Sequence, residues 1–225
     1  MSRYVAKFKD CNAGLAAVEF SVALPLLLVV LLGFFELDRY VTMTRKLENT
    51  ANSIAEMLTQ SQSGTISDLD VAFARDATMV LFPTVLADAA RKGVAWSNDI
   101  QISMSSIVFG KTNPNCSSNC AYNAQVAWSS GGLGVSRPCN RLLDAVDDTQ
   151  GPSRTSLPRD AFGPVPLIAV DLSFDYTPLF AASFMPSLTI KRSAFMQPRY
   201  TLGAAYLKYA PVAGSVSLVT TCPGY

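Results

Sequence analysis

The side chains with reactive potential in this sequence are cysteines and acids, because histidine is missing altogether. Without imidazole the commonest general base is gone, and with it the Ser-His-Asp and Cys-His arrangements and every zinc motif that needs a histidine ligand. Asp171 and Asp175 fall on the polar face of one alternating run. At about 3.3 Å per residue they stand roughly 13 Å apart, too far for the paired carboxylates of glycoside hydrolysis, so a solvated face is expected. Asp144, Asp147 and Asp148 lack the alternating ligands and central glycine of a calcium loop and are expected to be solvated too. Gly131-Gly132-Leu-Gly134 carries no lysine and precedes no clear helix, which makes it a turn and not a phosphate cradle. With no nucleophile and base to name, neither an enzyme nor a cofactor is expected.

The five cysteines divide as one plus four. Cys11 lies ahead of a long apolar run, whereas Cys116, Cys120, Cys139 and Cys222 follow it, and an even number on an exported side points to two disulfides. A four-thiolate metal site is the competing arrangement, but Cys139 and Cys222 form no second close pair. Three connectivities are open, and we lean to Cys116 with Cys120 and Cys139 with Cys222.

One acid stands in a place that demands explanation. From Leu15 to Phe35 the only charged residue is Glu19. At 1.5 Å per residue the run makes about 31 Å of helix, which matches a bilayer core. Arg3, Lys7 and Lys9 precede it, and Glu36 and Asp38 follow with Arg39, so the basic excess puts the N-terminus in the cytoplasm. A cleaved secretory signal fits poorly, because Gly-Phe-Phe-Glu-Leu follows Leu32 where a signal peptidase needs small residues. A carboxylate inside such a span costs about 2.5–3.5 kcal/mol at the helix centre. Glu19 therefore either has a role or reaches the cytoplasmic interface.

Gly14-Leu-Ala-Ala-Val-Glu19-Phe20 is similar to the processing site of type IV prepilin-like proteins. In those proteins a membrane peptidase cuts after the glycine, and a glutamate holds the fifth mature position. The longer stretch, continuing through Pro25 and a leucine run to Gly33-Phe-Phe-Glu36-Leu-Asp-Arg39, resembles the N-terminal signature of TadE-like pseudopilins of the tight adherence pilus. The family often has arginine directly before the glycine, where this chain has Ala13. The resemblance implies cleavage between Gly14 and Leu15 and a subunit contact through Glu19. The new amine on Leu15 would lie one turn from Glu19, and pairing makes a buried carboxylate tolerable.

The elements that would carry these residues follow in order. Met43, Leu47, Ala51, Ile54 and Leu58 recur at helical spacing, so the membrane helix should continue to about Gln60 as an amphipathic rod whose stripe packs on the chain's own head. Ser67 caps a second helix with Leu69, Ala72, Phe73, Ala77, Val80 and Leu81 on its buried side, interrupted or restarted at Pro83 and stopped by Gly93. Beyond Gly93 the period becomes two. Ile100 to Phe109 slips phase near Ser105 and Ser106, which predicts a bulge. Tyr122 to Trp128, Ile168 to Tyr176 and Leu188 to about Met196 are further strands. Residues 129–166 form a long Gly-, Pro-, Ser- and Asp-rich stretch, with a short helix possible over Asn140 to Asp148, and are either a variable exposed surface or a stapled surface loop. Helices first and strands afterwards indicate an α+β fold, with the long N-terminal helix and a second helix packed on an antiparallel sheet.

The later strands extend the resemblance. Tyr176-Thr-Pro-Leu-Phe180 followed by Ser193-Ala-Phe-Met196 is similar to the C-terminal strand pair of TadE-like proteins. The expected organisation is a cytoplasmic leader over 1–14, a transmembrane helix over 15–36, its periplasmic extension over 37–60 and a pilin-like periplasmic α+β head over 61–225. The resemblance implies a minor pseudopilin in the bacterial inner membrane, with incorporation into an extracellular pilus as a further step. Its expected partners are a prepilin peptidase, other pseudopilins, the major pilin and the inner-membrane assembly platform. Hydrophobicity adds membrane lipid, and the near-neutral net charge of +1 argues against nucleic acid. The alternative is an uncleaved, membrane-anchored periplasmic binding or scaffold protein.

Overall fold

The computed structural model describes residues 12–131, 135–145, 153–180, 182, 186–201, 205–215 and 217–225, and the side chains from residue 17 onward. The Gly132, Gly134, Asp147 and Asp148 of the sequence reading, with Cys11 and most of the leader, lie outside them. The chain divides into two compact units, Met1–Thr42 with Pro178–Pro186, and Met43–Thr177 with Ser187–Tyr225.

Helix α1 (Asn12–Thr59) is common to both and contains Pro25 without ending there. The stripe predicted for its second part is buried: Met43, Leu47, Ala51, Ile54 and Leu58 are at most 8% exposed. Burying each of the larger of these contributes about 1.5–3 kcal/mol. Glu56 reaches Arg199 at 2.6 Å and Glu48 approaches Arg192 at 3.9 Å, so the charged flank of the helix is tied to the sheet region as well.

The short strand β1 (Thr65–Ile66) leads into α2 (Asp68–Asp76), α3 (Thr78–Leu81), α4 (Thr84–Lys92) and α5 (Trp96–Asp99). Ser67 and Asp70 form a reciprocal capping box at the start of α2, an arrangement whose cap is worth about 1 kcal/mol. Gly93 ends α4 in the left-handed conformation at φ 69°, where a Cβ would be strained.

The predicted buried side of these helices is corrected. Leu69, Phe73 and Val80 are 66%, 68% and 82% exposed, and Asp68, Val71, Ala74 and Thr78 face inward instead; Ala72, Ala77 and Leu81 are half-buried. The reason is polar. The Asp68 carboxylate accepts from Tyr209 Oη and Ser215 Oγ, each at 2.5 Å, and from the Val212 amide at 3.2 Å. With Asp68 pinned inward, helical geometry turns Val71 and Ala74 in and Leu69 and Phe73 out.

The main sheet runs β5-β4-β3-β2-β6-β7, from β2 (Ile100–Lys111), β3 (Tyr122–Ser130), β4 (Arg141–Ala145), β5 (Ser156–Pro158), β6 (Leu167–Tyr176) and β7 (Leu188–Met196). The central pairs are antiparallel and only β4 with β5 runs parallel within it. Strand β8 (Lys208–Tyr209) pairs parallel with β1, and β9 (Val219–Thr221) pairs with β3. The register of β2 on β3 shifts between Ser106 and Ile107, where the phase slip predicted a bulge.

The possible helix over Asn140 to Asp148 is corrected too: Arg141–Ala145 is strand β4, pairing with Ala124 and Gln125 of β3. Alternation explains it. Leu142 is 2% exposed and joins Ile107, Ala124, Val126, Leu157, Ala169 and Cys222 in one core cluster, while Leu143 is 65% exposed. The fold is α+β, as expected.

Candidate functional site

Between Val18 and Phe35 the apolar side chains of α1 stand out from the protein: Val22 is 73% exposed, Val29 71% and Phe34 70%. The helix is long and apolar enough to cross a membrane, and none of its most apolar window is covered by protein. Keeping that surface in water costs about 25 cal/mol per Å², a cost that hydrocarbon relieves. Pro25 removes the amide that would bond the Ser21 carbonyl, and the Ser21 hydroxyl turns back to donate to the Val18 carbonyl at 2.8 Å. Gly14 and Leu15 lie within the helix backbone. Glu19 is exposed and makes no hydrogen bond or ion pair with any described residue.

The apolar run stops at Glu36, and this carboxylate has partners from far along the chain. Its Oε2 accepts from the backbone amides of Leu179 at 3.0 Å and Phe180 at 3.2 Å, and its Oε1 accepts from Leu179 at 3.2 Å. Hydrogen bonds to an ionised group are worth about 1.5–3 kcal/mol. The contact holds the turn after β6 against the end of the apolar segment, with Leu179 48% and Phe180 56% exposed. Glu36 belongs to the first signature segment and Leu179-Phe180 to the second. Sequence reasoning found both and did not join them, because nothing in either stretch encodes the other's position. The usable signal was chemical: an acid just beyond an apolar span, and a proline-led turn whose amides need acceptors.

In the second unit the charged side chains pair with one another. Arg137, wholly buried, donates from Nε at 2.7 Å and Nη2 at 2.9 Å to the two oxygens of Asp171, and from Nη1 at 2.9 Å to the Ser156 carbonyl. Ser193 Oγ donates to the same carboxylate. The expectation of a solvated Asp171 is therefore corrected, since its side chain is only 15% exposed. Its partner, Arg137, comes from the Gly-, Pro- and Ser-rich stretch expected to be loop. That stretch carries β4, β5 and a buried arginine, so it is not simply an exposed surface. Asp175 is exposed, as expected, and accepts from Thr189 Oγ1 at 2.8 Å. Asp144 pairs with Arg159 at 2.9 Å.

A second network ties α4 and α5 to β6. Lys92 bonds to Asp88 at 2.7 Å and to Asp99 and the Asp175 carbonyl, and Arg91 donates to the Thr177 carbonyl at 2.7 Å. Burial pushes the Asp99 carboxyl up despite the pull of Lys92. Burial works against the Lys92 ammonium, but Asp88 and Asp99 together hold it above its ordinary value. Hydrogen bonds from Ser215 and Tyr209 lower Asp68 to about 2.

Cys116, Cys120, Cys139 and Cys222 come together in two pairs at disulfide distance, Cys116 with Cys120 (Sγ–Sγ 2.21 Å) and Cys139 with Cys222 (2.05 Å). Cys139 lies two residues before the start of β4 and Cys222 immediately follows β9, and both strands lie along β3, which is why residues so distant in sequence meet. Among the described residues no three His, Cys, Asp or Glu side chains converge as metal ligands.

Taken together, a single N-terminal apolar helix compatible with a membrane anchor, joined to an α+β unit, defines the class of protein. More particularly, the N-terminal segment is TadE-like: residues 14–56 match the family described as TadE-like protein. The match bears out the resemblance first seen between Gly14 and Arg39. No curated protein and no solved structure matches the chain.

Proposed function

We propose that this chain is a minor pseudopilin of a tight adherence pilus, inserted in the bacterial inner membrane with residues 1–14 as a cytoplasmic leader and residues 61–225 as a periplasmic head. A prepilin peptidase cuts after Gly14, and the mature chain works in pilus assembly with other pseudopilins, the major pilin and the inner-membrane platform. It does no catalysis of its own. The observation that carries this reading is Glu19. It lies inside the TadE-like match, within an uncovered apolar helix, and has no partner among the described residues. A positive charge from outside the described residues makes a carboxylate there tolerable. The amine that cleavage would create on Leu15, four residues earlier on the same helical face, supplies one, and the amine of a neighbouring subunit supplies another.

The test is the N-terminus of the protein recovered from membranes, read by intact mass, together with the variant Glu19→Leu. A start at Leu15, with the variant still processed and folded but unable to support pilus assembly, is the expected result. The alternative is an uncleaved anchor for a binding or scaffold protein. It expects a start at Met1 or Ser2 and a Glu19→Leu variant that is harmless or inserts more readily.

A further inference from the structure

We infer that Leu179 and Phe180 form a second membrane contact, an apolar wedge that Glu36 holds in the outer interface of the bilayer. The inference rests on reading α1 as a membrane span. Glu36 is the first charged residue after the uncharged stretch from Phe20 to Phe35. With the span beginning near Leu15, about 31 Å of helix precedes it, so its carboxylate lies at the far boundary of the hydrocarbon. The amides of Leu179 and Phe180 are hydrogen-bonded to that carboxylate at 3.0–3.2 Å, which fixes the turn at the same depth.

Three features make lipid the occupant that fits. Both side chains are large, apolar and about half exposed, and Phe34 and Phe35, directly before Glu36, are 70% and 55% exposed, so the patch continues the lipid-facing surface of the span. The sequence from Thr177 to Ser187 contains no charged residue, so no buried charge opposes its entry into the interface. Finally, backbone amides near hydrocarbon must have acceptors, because each unsatisfied one is costly. Glu36 supplies them for both wedge residues. It thereby removes the main obstacle to lowering a non-helical turn into the interface, while keeping its own charge at the level where water reaches it.

The test uses the full chain with Cys11→Ser, reconstituted in vesicles of phosphatidylethanolamine and phosphatidylglycerol, with both native cysteine pairs verified by mass. A nitroxide is attached at Phe180→Cys and, in a second protein, at Leu179→Cys. Collision with oxygen, which concentrates in lipid, is compared with collision with a water-soluble nickel chelate. Val29→Cys serves as the mid-span reference and Asn49→Cys, further along the same helix, as the aqueous one. The oxygen-to-nickel ratio at 179 and 180 is expected to be several-fold above that at 49 and below that at 29, and Glu36→Ala should drop it to the aqueous level without changing position 29. A position 29 deep in lipid with 179 and 180 as wet as 49 overturns the wedge. So does low collision with both reagents, which means that protein covers the turn, or a ratio indifferent to Glu36→Ala. A wet position 29 overturns the membrane span itself, and the wedge with it.

Discussion

Replacing Arg137 by methionine should be among the most damaging single changes in the second unit. The guanidinium is wholly buried and makes three donor contacts, two of them bidentate to Asp171, and its Cζ lies 5.9 Å from the Phe195 ring. Methionine keeps most of the apolar stem and strips the charge, leaving Asp171 with Ser193 and little else. Breaking a buried ion pair from one side costs about 3–5 kcal/mol. Because Asp171 retains the Ser193 donor and 15% of its surface, the lower end applies, about 3 kcal/mol. At about 2–4 °C per kcal/mol for a unit of this size, the midpoint should fall by roughly 6–12 °C. The assay is thermal unfolding of the detergent-solubilised full chain by near-ultraviolet circular dichroism. Asp171→Leu and the double variant Arg137→Met/Asp171→Leu should be run beside it. The double variant should be clearly more stable than the sum of the single losses predicts, because it leaves no charge unpaired. A single variant within about 1 kcal/mol of the parent, or strict additivity in the double, would refute the reasoning.

Two further predictions concern the same unit. Because hydrogen bonds from Ser215 and Tyr209 lower Asp68 to about 2, against about 3.9 in an unfolded chain, its contribution is fully present above pH ~4 and is lost as pH falls toward 2. The stability gap between the parent and Asp68→Asn, measured by denaturant unfolding, should therefore close on acidification through that window; the difference is needed because Asp99, whose carboxyl is raised by burial, shifts stability in the opposite sense. For the cysteines, loop length decides. Cys139–Cys222 closes a separation of 83 residues and Cys116–Cys120 one of 4, so replacing the first pair with serines should cost about 4.5 kcal/mol and the second about 2. Equal costs for the two pairs would show that chain entropy does not govern them.

What the sequence carried and what it did not divide along physical lines. The stripe Met43, Leu47, Ala51, Ile54 and Leu58 was legible because burial there follows helical period alone, and all five are buried. The Ser67 cap, the Gly93 stop and the bulge in β2 were legible because each depends on a few adjacent residues. The face of α2 was not. Apolar periodicity pointed to Leu69 and Phe73, but Asp68 is held by Tyr209 and Ser215, some 141 and 147 residues away, and their hydrogen bonds set the rotation. Strand β4 was missed because five residues give too little pattern to separate strand from helix. Asp171 looked solvated because its partner came from a stretch whose composition suggested loop.

Glu19 and Glu36 of α1 show why the legible part of a site is not the whole of it. Glu19 announced itself, since a carboxylate in an apolar run is anomalous in one dimension. Glu36 looked ordinary at the end of that run, yet of the two it is the one whose oxygens are engaged by described residues, Leu179 and Phe180. Their situations explain each other. An acid at the bilayer boundary can be satisfied by backbone amides that its own chain folds back to that level. An acid toward the other end of the span has only helix around it among the described residues, and the partner proposed for it is a new terminus or another molecule. If Glu36 does position the turn and Glu19 the subunit, the variants should separate cleanly. Loss of Glu36 should alter lipid contact at Phe180 and leave processing at Gly14 intact, whereas loss of Glu19 should leave Phe180 where it is and abolish assembly.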